Sequence, residues 1–241
     1  MVKKILIGLG CAIALAVIGV GIGASLQPDS THVERSVLVN AVPADVFPYA
    51  NNFDLWVKWS PFQDLDPKQV ITQSPVHEGK DAWFEWNGDS DVGQGRMTIT
   101  ESTPPSRVVE QLHFMKPMES MSTATLTFEP VGDQTKVTWA FDQKNDFVGK
   151  LASLFVDMDG MLGTSFQSGL DKMKPLAEAS ASKRIADEKA SADSVANGLA
   201  GLDAALAGIK PVEGAQVEPK GAPGSPSGGP TTRPNLASGA K

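Results

Sequence analysis

The chain has 241 residues, 41% of them hydrophobic, and a net charge of −7. Residues 32–177 hold 12 Lys/Arg against 20 Asp/Glu, a net of −8. That segment lacks the basic stripe a phosphate backbone requires, which excludes nucleic acid as the main partner. The only cysteine, Cys11, excludes an intramolecular disulfide and any cysteine-based zinc site.

Lys3 and Lys4 precede an uncharged run of 22 residues, Ile5 to Leu26. About 20 apolar residues span a bilayer core. The next basic residue, Arg35, comes well after the run, so the positive-inside rule orients the N-terminus to the cytoplasm and the rest outward. The sequence therefore predicts a single-pass membrane anchor in residues 1–27, entering the membrane through residues 5–26, with the domain on the extracytoplasmic side. The alternative is a cleaved export signal: Gly23-Ala24-Ser25 offers small residues, but the apolar core exceeds the usual length of about 7–15.

From His32 to Asn40, Val33, Val37 and Val39 alternate with Glu34, Ser36 and Asn40, the pattern of a half-buried strand. Pro43-Ala44-Asp45 suits a helix start, and two short helical turns are expected through Val57. Ser60 precedes Pro61, which stops the helical geometry there. Strand and turn follow. Val70 to Gln73 is a short strand, and Ala82 to Asn87 carries Trp83, Phe84 and Trp86. Alternation recurs over Gly95–Glu101, Arg107–Met115, Thr123–Glu129 and Lys136–Phe141, with turns at Pro104-Pro105 and Gly132-Asp133. One-sided alternation with short connections predicts an antiparallel meander with one wet and one buried face.

A helix is expected over Phe147 to Met173. Leu151, Phe155, Met158, Leu162, Phe166, Gly169 and Met173 recur at spacings of 4, 3, 4, 4, 3 and 4, one face of a 3.6-residue helix. Pro175 is expected to end or kink it. Residues 178–210 read as an Ala-rich helical extension, in which Val195, Leu199, Leu202, Leu206 and Ile209 form a narrow stripe; a short coiled coil and a helix docked on the domain both fit it. Residues 211–241, rich in Pro, Gly and Ser, are expected to be disordered.

Several stretches carry a family resemblance. They are Val33-Glu34-Arg35-Ser36-Val37 with Pro43-Ala44-Asp45-Val46-Phe47; Trp56-Val57-Lys58-Trp59-Ser60-Pro61; Phe128-Glu129-Pro130 with Thr135-Lys136-Val137-Thr138-Trp139; and Met161-Leu162-Gly163 with Phe166 and Gly169-Leu170. Over residues 32–177 the chain resembles the helix-grip superfamily. That group, also called SRPBCC or START-like, includes START lipid-transfer domains, birch-pollen-allergen-like proteins and the bacterial polyketide cyclase/dehydrase-like branch. The resemblance implies an α+β fold in which a curved antiparallel sheet wraps around a long C-terminal helix. It also implies an apolar cavity between the two, with a small hydrophobic molecule or lipid as partner.

No motif for chemistry is legible. His32, His77 and His113 have no metal-ligand spacing, and no nucleophile elbow, phosphate loop or dinucleotide fingerprint occurs. Neither catalytic nor metal residues nor a cofactor are expected, and the oligomeric state is not legible. The acidic pairs Asp64/Asp66 and Asp89/Asp91 read as turn residues. Glu110 shares its strand face with Val108 and Leu112, and Glu101 shares that of Met97 and Ile99. Both are polar groups that a cavity would hold, with a raised pKa or a basic partner. Cavity candidates are Trp56, Trp59, Phe62, Trp86, Met97, Leu112, Phe114, Trp139, Phe155, Met158, Leu162 and Phe166. The same aromatics also suit a filled core. The expected function is a membrane-tethered domain that binds a small hydrophobic or amphipathic ligand. A cyclase-, dehydrase- or hydrolase-type enzyme in the same cavity, or a scaffold with a docking tail, are the alternatives.

Overall fold

Strand β1 (Ser30–Val39) alternates as its sequence does, with Val33 and Val39 buried and Glu34 and Ser36 exposed. In this computed structural model residues 2–208 are described, apart from the side chains of residues 2–8 and 11–13. The expected disordered tail, 211–241, lies outside the described residues. Before β1 runs α1 (Val2–Ser25). Among the described residues no helix is long and apolar enough to cross a membrane, although α1 occupies nearly all of the apolar run expected to do so.

After β1 the chain makes four single-turn helices: α2 (Pro43–Val46), α3 (Pro48–Asn51), α4 (Phe53–Trp56) and α5 (Phe62–Leu65). Each of the first two opens on a proline, whose missing N–H is no loss in a first turn. Asn52 caps α4, its side chain accepting from the Asp54 amide at 2.8 Å. The meander follows: β2 (Val70–Gln73), β3 (Trp83–Asn87), β4 (Gln94–Thr103), β5 (Arg107–Lys116), β6 (Ser120–Val131) and β7 (Gln134–Lys144). All pairings are antiparallel, in the order β1-β7-β6-β5-β4-β3-β2. The chain thus crosses from one sheet edge to the other through α2–α5 and returns strand by strand.

The expected single helix from Phe147 to Met173 is two helices. α6 (Phe147–Ala152) ends at a turn, and α7 starts at Met158 and runs to Ala207. Asp157 accounts for the break, as Asp146 accounts for the start of α6. Asp146 Oδ1 accepts from the Gly149 amide at 2.7 Å, and Asp157 Oδ1 from the Gly160 amide at 2.9 Å. Each carboxylate satisfies an amide that a helix N-terminus leaves free, so each marks a start rather than an interior. Phe155 falls in the turn and is 77% exposed, not on the buried stripe. The buried face begins later, with Gly163, Phe166, Gly169, Leu170 and Met173, and continues through Ala177 and Ala181.

Nor does the helix end at Pro175, which lies inside α7. The carbonyl that proline leaves without a donor belongs to Asp171. Both residues are exposed, so water can satisfy it. Beyond Pro175 the helix is fastened to the turn after β1 and to α2 and α3. The Tyr49 hydroxyl donates to the Leu176 carbonyl at 2.9 Å, Glu178 Oε1 accepts from the Asn40 amide at 2.8 Å, and Arg184 holds Asp45 through two bonds of 2.7 and 2.8 Å. The chain divides into two units, residues 1–191 and 192–241. In the second, Val195, Leu199, Leu202 and Leu206 are all exposed on their helix.

Candidate functional site

The concave face of the sheet has two regions of different character. Toward α4, four aromatic side chains fill the space. Trp56 and Trp59 meet edge to face at 4.5 Å between ring centroids, both meet Trp139 at 5.3 and 5.4 Å, and Phe166 of α7 stacks on Trp139 at 4.0 Å. Trp59 is 1% exposed and its indole donates to the Tyr49 carbonyl at 2.9 Å. The helix passes very close here. A Cβ on Gly169 would sit 2.9 Å from Pro61 and 3.2–3.3 Å from Trp139 and Trp59. Trp56, Trp59, Trp139 and Phe166, four of the side chains singled out in the sequence, therefore pack on one another. The Trp139 indole N–H is buried and, among the described residues, has no hydrogen-bond partner.

The second region lies on β3, β4 and β5. Trp86, Leu112 and Phe114 are half-buried, as are Phe62 of α5 and Leu162 of α7. Trp86 and Phe114 meet edge to face at 5.7 Å. Gly95, directly opposite both in register, makes room: a Cβ there would lie 2.5 Å from the Trp86 ring. Met97 pairs with Leu112 and is buried; Met158, in the first turn of α7, is half-buried. Phe155 belongs to neither region.

Glu110 lies between Val108 and Leu112 on the same face of β5, opposite Ile99 on β4 and Ala124 on β6. It is 0% exposed, and among the described residues neither carboxyl oxygen has a hydrogen-bond partner. Burial without compensation penalises the charged form, and its pKa is pushed up to about 8. The acid is therefore largely neutral at pH 7, with one O–H to donate and an oxygen to accept.

Glu101 does not join it. The pairing of β4 with β5 slips between Ile99 and Glu101, so that Ile99 pairs with Glu110 but Glu101 pairs with Val109. One extra residue moves every later side chain to the other face. Ser102 takes the inward position and donates to Asn51 Oδ1 at 2.6 Å, while Glu101 is half-exposed and bonds Arg107 at 3.3 Å.

The histidines all face surface carboxylates. His32 meets Asp142 at 2.7 Å, His77 meets Asp54 at 2.9 Å and His113 meets Glu119 at 3.1 Å. The hydrogen bond to Asp142 raises the His32 pKa. Among the described residues no group of three or more His, Cys, Asp or Glu side chains could hold a metal ion. Two open surface depressions border α7, one beside Arg35, Gly163 and Lys172 and one beside Lys183, Arg184 and Glu188; neither contains a candidate residue. In the first, Arg35 spans Asp159 through contacts of 3.1 Å.

Compared with known proteins, residues 30–178 match the family described as polyketide cyclase / dehydrase and lipid transport. No curated protein matches the sequence. Among solved structures the chain is similar to a Chromobacterium violaceum protein at 14% identity and TM-score 0.46, covering 63% of this chain and 99% of that one. A Rhodobacter sphaeroides protein is similar at 17% and 0.46, covering 62% and 93%. A Helicobacter pylori protein is similar at 11% and 0.47, covering 61% and 88%.

Proposed function

The chain belongs to the polyketide cyclase/dehydrase and lipid transport family, and from that premise we propose that its helix-grip domain binds a small amphipathic, lipid-like molecule. The ligand lies on the concave face beside Trp86, Leu112, Phe114 and Leu162, and its polar group meets the neutral carboxyl of Glu110. The observation that carries this reading is Glu110 itself. A fully buried acid with both oxygens unpartnered among the described residues loses about 1–3 kcal/mol of hydrogen bonding, which a ligand hydroxyl, carboxyl or amide would restore. The half-buried apolar side chains on the same strand supply the rest of such a site, since small-molecule sites are mostly apolar with a few placed polar groups. The domain is tethered to a membrane through residues 5–26 and lies on the extracytoplasmic side. Support for that comes from the uncharged run of 22 residues behind Lys3 and Lys4.

Titration of the full chain with anthroyloxy-stearate, followed by quenching of tryptophan emission, tests the binding. Trp86→Ala and Phe114→Ala should each weaken it about tenfold, equivalent to about 1.4 kcal/mol. Glu110→Met should weaken this probe but leave an anthracene hydrocarbon without a polar group unaffected. Absence of binding, or equal affinity in all variants, would overturn the assignment. A second reading, in which Glu110 acts as a general acid, is favoured by its neutral form at pH 7. It requires that Glu110→Gln abolish turnover of some bound substrate while binding survives.

A further inference from the structure

The segment from α6 to the first turn of α7 exposes large apolar side chains that the fold does not use. Phe147, Val148, Phe155, Val156 and Met161 are 42–77% exposed, all within residues 147–161. Leu26, just past α1, is exposed as well, and so are Met118 and Met121 at the β5–β6 turn. Strand register gathers these segments at one end of the sheet. Ser30, at the start of β1, pairs with Lys144 at the end of β7, and Ser122 of β6 pairs with Gln143. So the exit of α1, the β7–α6 connection and the β5–β6 turn share that end. Exposed apolar groups grouped like this mark an interaction surface rather than scattered surface residues.

The same segment is fastened to the end of α1. Ala24 is buried, and a Cβ on Gly23 would lie 3.7 Å from the Leu154 side chain. Asn145 donates from its backbone to the Asp29 carbonyl at 2.9 Å and from its side chain to the Pro28 carbonyl at 3.1 Å. Lys150 pairs with Asp29. Only Leu26, Gln27, Pro28 and Asp29 separate α1 from β1, and four residues reach at most about 14 Å. A domain so closely tied cannot stand off from whatever surface α1 enters.

We propose that residues 147–161 form a second membrane contact, with Phe155 and Val156 entering the interfacial region of the leaflet from which α1 emerges. This rests on the reading of α1 as a membrane anchor. The contact is apolar and not selective for anionic lipid, because the charges at this end are mixed: Lys116, Lys144 and Lys150 stand among Asp29, Glu119, Asp146 and Asp157 in the segments that meet there, and Lys150 pairs with Asp29. Half-buried Trp86 and Phe114 occupy strand positions toward the same end. An apolar ligand would therefore pass between bilayer and concave face without crossing bulk water.

The test uses the full chain with Cys11→Ser, reconstituted in phosphatidylcholine vesicles, carrying an NBD-labelled cysteine at Phe155→Cys or, at the opposite end of the sheet, at Asp133→Cys. Lipids bearing a nitroxide near the headgroup should quench the label at 155 at least about twofold and leave that at 133 unquenched. Replacing a third of the phosphatidylcholine by phosphatidylglycerol should not change the result. Protein that floats with vesicles but shows no quenching at 155 retains its anchor and overturns the second contact. Loss of the 155 signal on dilution of the protein, with no quenching by lipid, would assign the patch to a second copy of the chain instead. Protein that does not float overturns the anchor and this inference together.

Discussion

Replacing Glu110 by Gln should abolish a pH dependence of stability that the wild-type chain carries. The ordinary pKa of the group is 4.5 and burial raises it to about 8 in the folded chain. Between these values the folded state holds a proton that the unfolded chain has released. Stability therefore falls as pH rises, by about 1.4 kcal/mol per unit, and is unaffected by this group below the unfolded value. The full penalty above pH 8 is on the order of 5 kcal/mol, and most of it develops between pH 5 and pH 8. Gln has the same shape and the same unpartnered polar tip but no proton to lose. Urea unfolding of both proteins in the same nonionic micelle at pH 5, 6, 7 and 8 should show curves that diverge by about that amount, with the Gln variant relatively more stable at the alkaline end. Parallel curves would mean that Glu110 is solvated or paired in solution, and the argument for a polar ligand group would fall with it. A bound amphiphile that hydrogen-bonds the neutral acid should extend the wild-type loss to higher pH, because it raises the folded-state pKa further and its affinity disappears only as Glu110 ionises.

The two phenylalanines of the helical segment should behave as opposites: Phe166→Ala should destabilise by about 3–5 kcal/mol, whereas Phe155→Ala should stay within about 0.5 kcal/mol. Equal losses in denaturant unfolding would contradict the broken helix. Gly169→Ala should destabilise by about 1–3 kcal/mol, since the added methyl meets a proline ring and two indoles with little room to move; an unchanged midpoint would show that the aromatic cluster is looser than its centroid distances imply.

The meander and the terminal helix were legible because both are periodic. β1, and β4 as far as Ile99, bury the side chains that alternation selects, and α7 buries Phe166, Gly169 and Met173 at the spacings read from sequence. Periodicity failed where it continued by coincidence. Leu151 and Phe155 stand at helical spacing from Met158, yet Asp157 bonds the Gly160 amide and begins a new helix there. The Asp-x-x-Gly signal of Asp157 and Gly160 interrupts a stripe of six large apolar side chains that otherwise reads as continuous. Glu101 failed for the converse reason. Nothing in Thr100-Glu101-Ser102 announces a bulge; the slip is set by pairing with β5, a contact between strands that a single strand's alternation cannot encode. Arg35 shows a third limit. Its clasp on Asp159 joins residues 124 positions apart, and neither residue is unusual in its own local pattern.

The aromatic residues chosen from sequence divide along a physical line that composition alone hides. Trp56, Trp59 and Trp139 are held by α4, the turn after it and β7, at the level where Gly169 lets α7 approach within van der Waals contact. Close helix approach and stacked rings leave no room for a guest there, so that end acts as the clamp that fixes helix to sheet. Trp86 and Phe114 lie on β3 and β5, opposite a glycine rather than a large side chain, and remain half-buried. Between the two regions Glu110 stands on a fully paired central strand, where among the described residues neither backbone nor side chain offers its carboxyl a bond. An acid placed against a packed wall on one side and a partly open apolar surface on the other can be satisfied from only one direction. On the proposed function, the ligand's apolar body would lie along Leu112, Phe114 and Trp86 with its polar end pointing inward, and the distance it must span would be set by the length of β5 between Glu110 and Phe114.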